Sequence, residues 1–461
     1  MGGSERFDVI IVGARCAGSP LAAFLARAGV RVCVVDQARF PSDTPSTHGI
    51  QPVGVQILER LGVLKSLLDI ATPIERATIA LGESRIEVDR ISAVLGAPML
   101  NVRRVHLDQL LLEAAAASGA EVRTRTPVTS LAEDAGRVTG VRTRTGVLRA
   151  RLVVGADGVR SAVARLAGAE EYRRTSAGRL FVWGYFDGVA TSADRVWLGK
   201  IGDHGFLGSP TDAGLFMAAI APSIQRSRVV LADAAASHAE GLARWPELAE
   251  TLAHARQVGP LRVMPRWHGY FRRSAGPGWV LLGDAGHFKD PTAGQGIADA
   301  LRQAATLAPA IERGLAQPTC LDQELADWWS WRDRDAWQMY WFAHDMGAEG
   351  PTPRLVQHIQ RRIAADPRLV VGLLRVLNHE LPPSRLLTPS LAVRAAANAL
   401  AADPHDRPAL LREMAGLVGQ ELRRIGPPRR RRHVRSRPLG PVPPLTTRQG
   451  PARLPVRPGD S

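Results

Sequence analysis

Lysine is nearly missing from this sequence. Of its 59 basic residues only Lys65, Lys200 and Lys289 are lysine, so arginine supplies almost all of the positive charge. Cysteine is as sparse: Cys16, Cys33 and Cys320 are too few and too scattered for a disulfide framework or a four-ligand zinc site. Long apolar runs are missing as well. Asp8, Arg15, Arg27 and Arg31 break up the apolar stretch near the start, which argues against a membrane span there and, with no basic segment ahead of it, reads as no signal peptide. The expectation is a metal-free protein of the reducing cytoplasm with no membrane span.

What is present implies several domains. A chain of 461 residues exceeds the ~250 to 300 residues over which one core grows, and a hydrophobic fraction of 45% is ordinary for a globular protein. The net charge of +15 is unevenly placed: from Pro427 to Ser461 there are nine arginines against one aspartate, including the run Arg429 to Arg432 among many prolines. Such a composition cannot bury enough apolar surface to offset chain entropy, so residues 427–461 are expected to be a disordered, solvated tail. Binding to nucleic acid is expected only as a non-specific property of that tail.

The N-terminus carries the strongest local pattern. Phe7 to Val12 (FDVIIV) reads as a buried strand, Gly13 to Gly18 (GARCAG) as a tight turn, Ser19 to Ala28 as a helix closed by Gly29, and Val30 to Val35 as a second strand ending on Asp36. Strand, glycine turn, helix, strand and acid, with the acid about twenty residues past the turn, is the order of a nucleotide-binding βαβ unit. Gly13 lets the chain turn and Gly18 lets the helix approach the strand. The helix N-terminus offers N–H groups to a pyrophosphate, and Asp36 is placed to accept hydrogen bonds from a ribose. The middle glycine of the GxGxxG pattern is replaced by Arg15, which either swings outward or adds charge to the phosphate contact. Two later segments extend the pattern. Ala150 to Ser161 (ARLVVGADGVRS) is a strand ending in Asp157-Gly158, and Trp279 to Ala300 (WVLLGDAGHFKDPTAGQGIADA) is a strand ending in Gly283-Asp284, followed by a glycine-rich loop entering a helix.

This ordered set, from about Phe7 to Leu315, resembles the group A flavoprotein monooxygenases, the family typified by para-hydroxybenzoate hydroxylase. The resemblance implies an α/β fold: a Rossmann-like FAD-binding domain (7–75, 98–170, 276–345) interleaved with a β-sheet substrate domain (76–97, 171–275), then a helical region (346–426) and the tail. It implies FAD contacts from Gly13, Arg15, Cys16, Ala17 and Gly18, from Asp36, and from Arg104 in RRVHLDQLL. Asp157 and Gly158 would lie near the pyrophosphate and the nicotinamide approach, Asp284 at the ribitol chain, and Pro291, Gly294 and Gly296 along the flavin ring. A helix beginning near Gln295 would stabilise negative charge on reduced flavin. The sequence has no second βαβ fingerprint, so NAD(P)H would visit as a transient co-substrate, with O2 and a small apolar, aromatic or unsaturated molecule as the other reactants.

Candidate catalytic residues are His48 in STHG, Tyr185 on the expected substrate sheet and His287 in the GD loop. Each has a plainer alternative: a surface-loop histidine for His48, sheet packing for Tyr185 and its neighbour Trp183, a solvent-facing position for His287 and Lys289. Asp157 and Asp284 have one too, as turn-formers at strand ends. The aromatic stretch Trp328, Trp329, Trp331, Trp337, Tyr340, Trp341 and Phe342 reads as a helix packed into the core. The glycine turn and GD segment are also similar to flavin reductases of isoprenoid chains, of the geranylgeranyl reductase type. Flavin halogenases share the fold, but their WxWxIP motif is absent. A reductase needs a placed acid to protonate its substrate carbon; Tyr185 is the one phenol in the middle sheet's expected lining, which tilts the expectation toward the oxygenase.

Overall fold

The computed structural model describes residues 5–189, 194–402 and 407–424; residues 427–461, expected to form a disordered tail, lie outside that range. At the centre is a parallel sheet. The strand Glu5–Val12 pairs with Val32–Val35 on one side and with Gly146–Gly155 on the other, and Trp279–Leu281 and Glu121–Arg123 extend the two edges. Their inner stretches, residues 9–12, 32–35, 152–154 and 279–281, are apolar because both faces are covered there. Val9 and Ile11 join the core beneath the helices Gly18–Arg27, Arg104–Ala117 and Gly296–Ala316, while Ile10 and Val12 point to the opposite core with Val153, Val163 and Leu281. That is the two-residue alternation of a strand.

Residues 76–88 and 181–264 form a second, seven-stranded sheet. Its order is Arg256–Met264, Phe181–Asp187, Phe216–Ala221, His204–Pro210, Arg195–Ile201, Arg76–Leu81, Ser84–Val88. All pairings are antiparallel except that between Arg195–Ile201 and Arg76–Leu81. Alternation again sorts the side chains: Val182, Ala218 and Ile220 pack under the helices that carry Leu242 and Leu248, and Phe181, Trp183, Tyr185, Met217 and Ala219 form the other face. A small sheet of Glu171–Ser176, His268–Arg272 and His287–Phe288 joins this half to the loop after Trp279–Leu281.

The aromatic stretch lies on the helix Leu321–Met346, where Trp328, Trp329, Trp337 and Tyr340 are buried in the core. Four longer helices follow, Arg354–Ala365, Pro367–Leu377, Pro389–Ala402 and Arg407–Arg423. No described helix is long and apolar enough to cross a membrane, and among the described residues no cluster of His, Cys, Asp or Glu is suited to hold a metal ion. The three cysteines are free.

Candidate functional site

The glycine turn after the first strand has no room for side chains. Gly13 has φ +105°, and a Cβ there would sit 2.4 Å from the Ala156 carbonyl oxygen; a Cβ on Gly18 would sit 1.8 Å from the Gly13 oxygen. Any larger residue would push the helix Gly18–Arg27 off the sheet. Asp36 ties the two strand ends together, accepting from the Ala14 N–H at 2.8 Å and from the Ala38 N–H at 2.7 Å. Arg15 swings aside, to Asp108 at 2.7 Å and to the Ser42 hydroxyl at 2.9 Å, with its guanidinium over Phe40. Asp108 is fully buried and also accepts from the Cys16 thiol at 3.2 Å and from Arg104 at 3.0 Å. Burial pushes the Cys16 thiol far above its ordinary range, so it stays protonated.

The two Asp-Gly loops differ in what holds the carboxylate. Asp157 accepts from the Ser161 hydroxyl at 2.5 Å and from the N–H groups of Ala162 and Val163 at 2.7 and 3.2 Å, closing the start of the helix Ala162–Leu166. Asp284 has no hydrogen bond to its carboxylate among the described residues; only its backbone carbonyl is engaged, by the Tyr270 hydroxyl at 2.6 Å. Burial pushes the Asp284 carboxyl up to about 6, although the charge of Arg104 works the other way. Gly283 has φ +62°, and a Cβ there would sit 3.0 Å from the Ala17 Cβ, so the GD loop lies close to the start of the first helix. Beyond it, Pro291–Ala293 make a tight turn, Gly294 takes a left-handed conformation, and the 21-residue helix Gly296–Ala316 begins with no side-chain cap. A Cβ on Gly296 would meet nothing within 4 Å.

Behind this loop lies a buried ion network. The Lys289 ammonium donates to the Gln295 amide oxygen and pairs with Asp299, both at 2.6 Å. Asp299 also meets His379 at 2.8 Å, and Arg302 bridges to Asp335 at 3.1 Å. Burial alone would raise the Asp299 carboxyl; Lys289 and His379 outweigh it and hold it well below the usual range. Gln295 donates to the carbonyl of Leu377 at 2.7 Å, and Asn378 accepts from the Val53 N–H at 2.8 Å. The end of the helix Pro367–Leu377 is thereby fastened to the glycine loop.

Where the halves meet, the structure brings His48 and Tyr185 together in a hydrogen bond between the imidazole Nε2 and the phenol. His48 holds a left-handed backbone, φ +56°, and is 1% exposed, a conformation that costs energy in a non-glycine residue. Burial, reinforced by the Arg104 charge, pushes its pKa down to about 3, so the ring is neutral near pH 7; burial also raises the Tyr185 phenol. Arg103 lies over the Tyr185 ring and is itself fixed by Asp212, which is fully buried. Burial would raise the Asp212 carboxyl, but the Arg103 hydrogen bonds hold it below the usual range. Two buried nitrogens here, His48 Nδ1 and Trp183 Nε1, have no hydrogen-bond partner among the described residues. His287 is elsewhere, packed against Phe271 and Tyr340 in an aromatic cluster. A groove of about 390 Å³ lined by Asp203, Ser223, Arg226 and Glu349 holds none of these candidates.

The model of the FAD binding domain matches residues 6–327, which is more than half of the chain and includes both glycine loops and the joint between the sheets. The chain belongs to the FAD-binding domain family. It is an FAD-dependent oxidoreductase within the group A flavoprotein monooxygenases. The menaquinone reductase of Mycolicibacterium smegmatis is 31% identical over 315 residues, 64% of this chain and 73% of that one. The 6-methylpretetramide 4-monooxygenase of Streptomyces rimosus is 28% identical over 330 residues, 67% and 76% of the two chains. Among solved structures, a flavoprotein/dehydrogenase from Cytophaga hutchinsonii superposes with a TM-score of 0.72 at 17% identity, over 86% of this chain and 100% of that one, and so shares the fold.

The residues present suit FAD. The glycine turn brings backbone N–H groups to the C-terminal ends of the parallel strands, where open α/β sheets bind ligands. The half-buried Asp284 carboxylate takes no hydrogen bond from the described residues and so is free for a ligand, and the long helix of the family's second glycine loop starts without a side-chain cap. Sequence reasoning missed Asp108, Asp212 and the ion network around Asp299. Asp108 and Asp299 had a sequence signal, the i, i+4 spacing from Arg104 and the i, i+3 spacing to Arg302.

Proposed function

We propose that this protein uses NAD(P)H and O2 to place one oxygen atom on a largely apolar aromatic or unsaturated molecule held between the face Phe181–Trp183–Tyr185–Met217 and the glycine loop 291–296. Gly13 to Gly18 would hold the pyrophosphate of FAD, Asp36 its adenosine ribose and Asp284 its ribitol hydroxyls. The start of the helix Gly296–Ala316 would face the flavin ring, and the positive end of its dipole would favour negative charge there. FAD when bound supplies the redox chemistry, taking electrons from NAD(P)H and activating O2. Arg15, held by Asp108 and Ser42, would keep the turn's shape instead of contacting phosphate, and Asp157 holds the start of its own helix.

The observation that carries the substrate side is the Tyr185–His48 pair. A phenol kept protonated by burial and held by a neutral imidazole is a fixed donor to a substrate oxygen, with Arg103 over its ring. A phenolic or carbonyl substrate would be oriented by that hydrogen bond with its ring against the apolar face. The apolar face beside it excludes water.

One observation favours a second reading. The same pair is a placed acid, the group an alkene or quinone reductase needs, and the relative from M. smegmatis is named a menaquinone reductase. Turnover under labelled dioxygen separates the two, run on the wild type and on Tyr185→Phe. One labelled oxygen atom in the product, with turnover slowed in the variant, is the expected result. A saturated or reduced product made under strict anaerobiosis would replace the oxygenase with the reductase.

A further inference from the structure

The last described helix, Arg407–Arg423, has two apolar sides, and only one of them is covered. On the inner side Leu410 is buried, and Met414 and Leu417 pack against Leu355 and Ala395 of neighbouring helices. Glu413 accepts from the N–H groups of Arg354 and Leu355 at 3.1 and 2.8 Å. The end is pinned as well: Arg424 donates to both oxygens of Asp345 at 2.7 and 2.6 Å, lies 4.7 Å over the Trp341 ring, and its carbonyl accepts from the Trp337 indole at 3.1 Å. These contacts stop the helix from rolling.

Its outer side should therefore be polar, and it is not. Leu411, Ala415, Val418 and Leu422 follow one another at i, i+4, i+7 and i+11, all exposed, with the three larger side chains 53%, 60% and 61% accessible. Single exposed apolar residues are ordinary, but a stripe at helical spacing on a helix already packed by its other side marks a contact surface. Arg407, Arg412 and Arg423 are exposed on the same helix. The sequence then runs into Arg429 to Arg432, Arg435 and Arg437, part of the nine arginines set against one aspartate between 427 and 461.

We propose that this helix and the arginine-rich segment after it form a peripheral docking site for an anionic lipid surface. The stripe enters the boundary between headgroups and acyl chains, and the arginines meet lipid phosphates. Shallow apolar insertion and a polybasic segment are each weak alone and stable together. A nucleic acid would use the arginines and leave the stripe exposed; a second copy of the chain would cover the stripe and bring two arginine-rich segments into repulsion. An anionic bilayer accounts for both features at once. This inference stands apart from the reaction proposed above.

The test is co-sedimentation of the full-length, FAD-loaded protein with vesicles of phosphatidylcholine alone or mixed with phosphatidylglycerol. Binding is expected only to the anionic vesicles. The double substitution Val418→Glu with Leu422→Glu should weaken it by roughly tenfold or more, with flavin content and thermal midpoint unchanged because both side chains face solvent. Replacing Arg429 to Arg432 by serine should also weaken it and flatten its salt dependence. Unchanged vesicle binding in the glutamate variant would overturn the proposal, as would binding to duplex DNA at equal affinity, or a stripe that proves instead to hold a dimer together.

Discussion

Asp157 and Asp284 carry the same letters in the same setting, each beside a glycine at the end of a parallel strand, and the fold treats them in opposite ways. The chain itself takes both oxygens of Asp157, through Ser161, Ala162 and Val163, and the five-residue helix that follows is capped. Asp284 receives no hydrogen bond from the described residues, and the 21-residue helix beyond it has no side-chain cap. A half-buried carboxylate that holds the first N–H groups of the helix after it belongs to the scaffold. One left without protein donors, as Asp284 is among the described residues, is free to meet a ligand, and the proposal above makes that ligand FAD. The same contrast separates the back of the second glycine loop, where Lys289, Asp299, His379 and Arg302 pair with one another, from its front.

The largest effect is expected behind that loop. Lys289→Met leaves Asp299 buried without its ammonium partner and should lower unfolding stability by about 3 to 5 kcal/mol, read by denaturant titration; a loss below about 1 kcal/mol would show that His379 and Arg302 suffice. In front of the loop, Asp284→Ala should raise the FAD dissociation constant by roughly tenfold to a hundredfold, the worth of hydrogen bonds to a charged group, with the apoprotein no less stable than the wild type at pH 7. Flavin fluorescence titration measures it, and an unchanged constant would remove Asp284 from the FAD site. The pH dependence sharpens the point. The folded-state pKa of Asp284, about 6, lies above the ordinary 3.8; apoprotein stability therefore falls as pH rises between these values, because the folded state retains the proton longer. Apoprotein carrying Asp284→Asn should melt above the wild type beyond pH 6 and match it below about pH 4. The smallest effect is expected at the other loop: Asp157→Ala should cost about 1 to 2 kcal/mol as lost hydrogen bonds to the first helical N–H groups, with Ser161 still capping the helix, and leave FAD affinity within a few-fold. A large loss of flavin in that variant would erase the contrast between the loops.

Local physics made the dinucleotide-binding half readable. Strands covered on both faces must be apolar, and glycine is required where Gly13 turns back against Ala156 and where Gly18 packs on Gly13. The helix of buried tryptophans follows from the same kind of periodicity. The alternatives weighed for Arg15 needed its partner to be decided, and Asp108 lies 93 positions away. Lys289, which spacing allowed to face solvent, is buried in an ion network whose His379 comes from the C-terminal helices.

The sequence alone determined that this chain builds a parallel sheet with two glycine loops at its carboxyl ends, because such elements depend on residues within a turn or two of each other. Only the tertiary structure decided which polar groups are spent and which are free. Asp157 and Asp284 cannot be told apart by their neighbours in sequence. His48 meets Tyr185 across 137 residues only because the second sheet lays one face against the first half. A side chain's partner is set by which surfaces the whole chain brings together, and periodicity records burial without recording what lies across the interface.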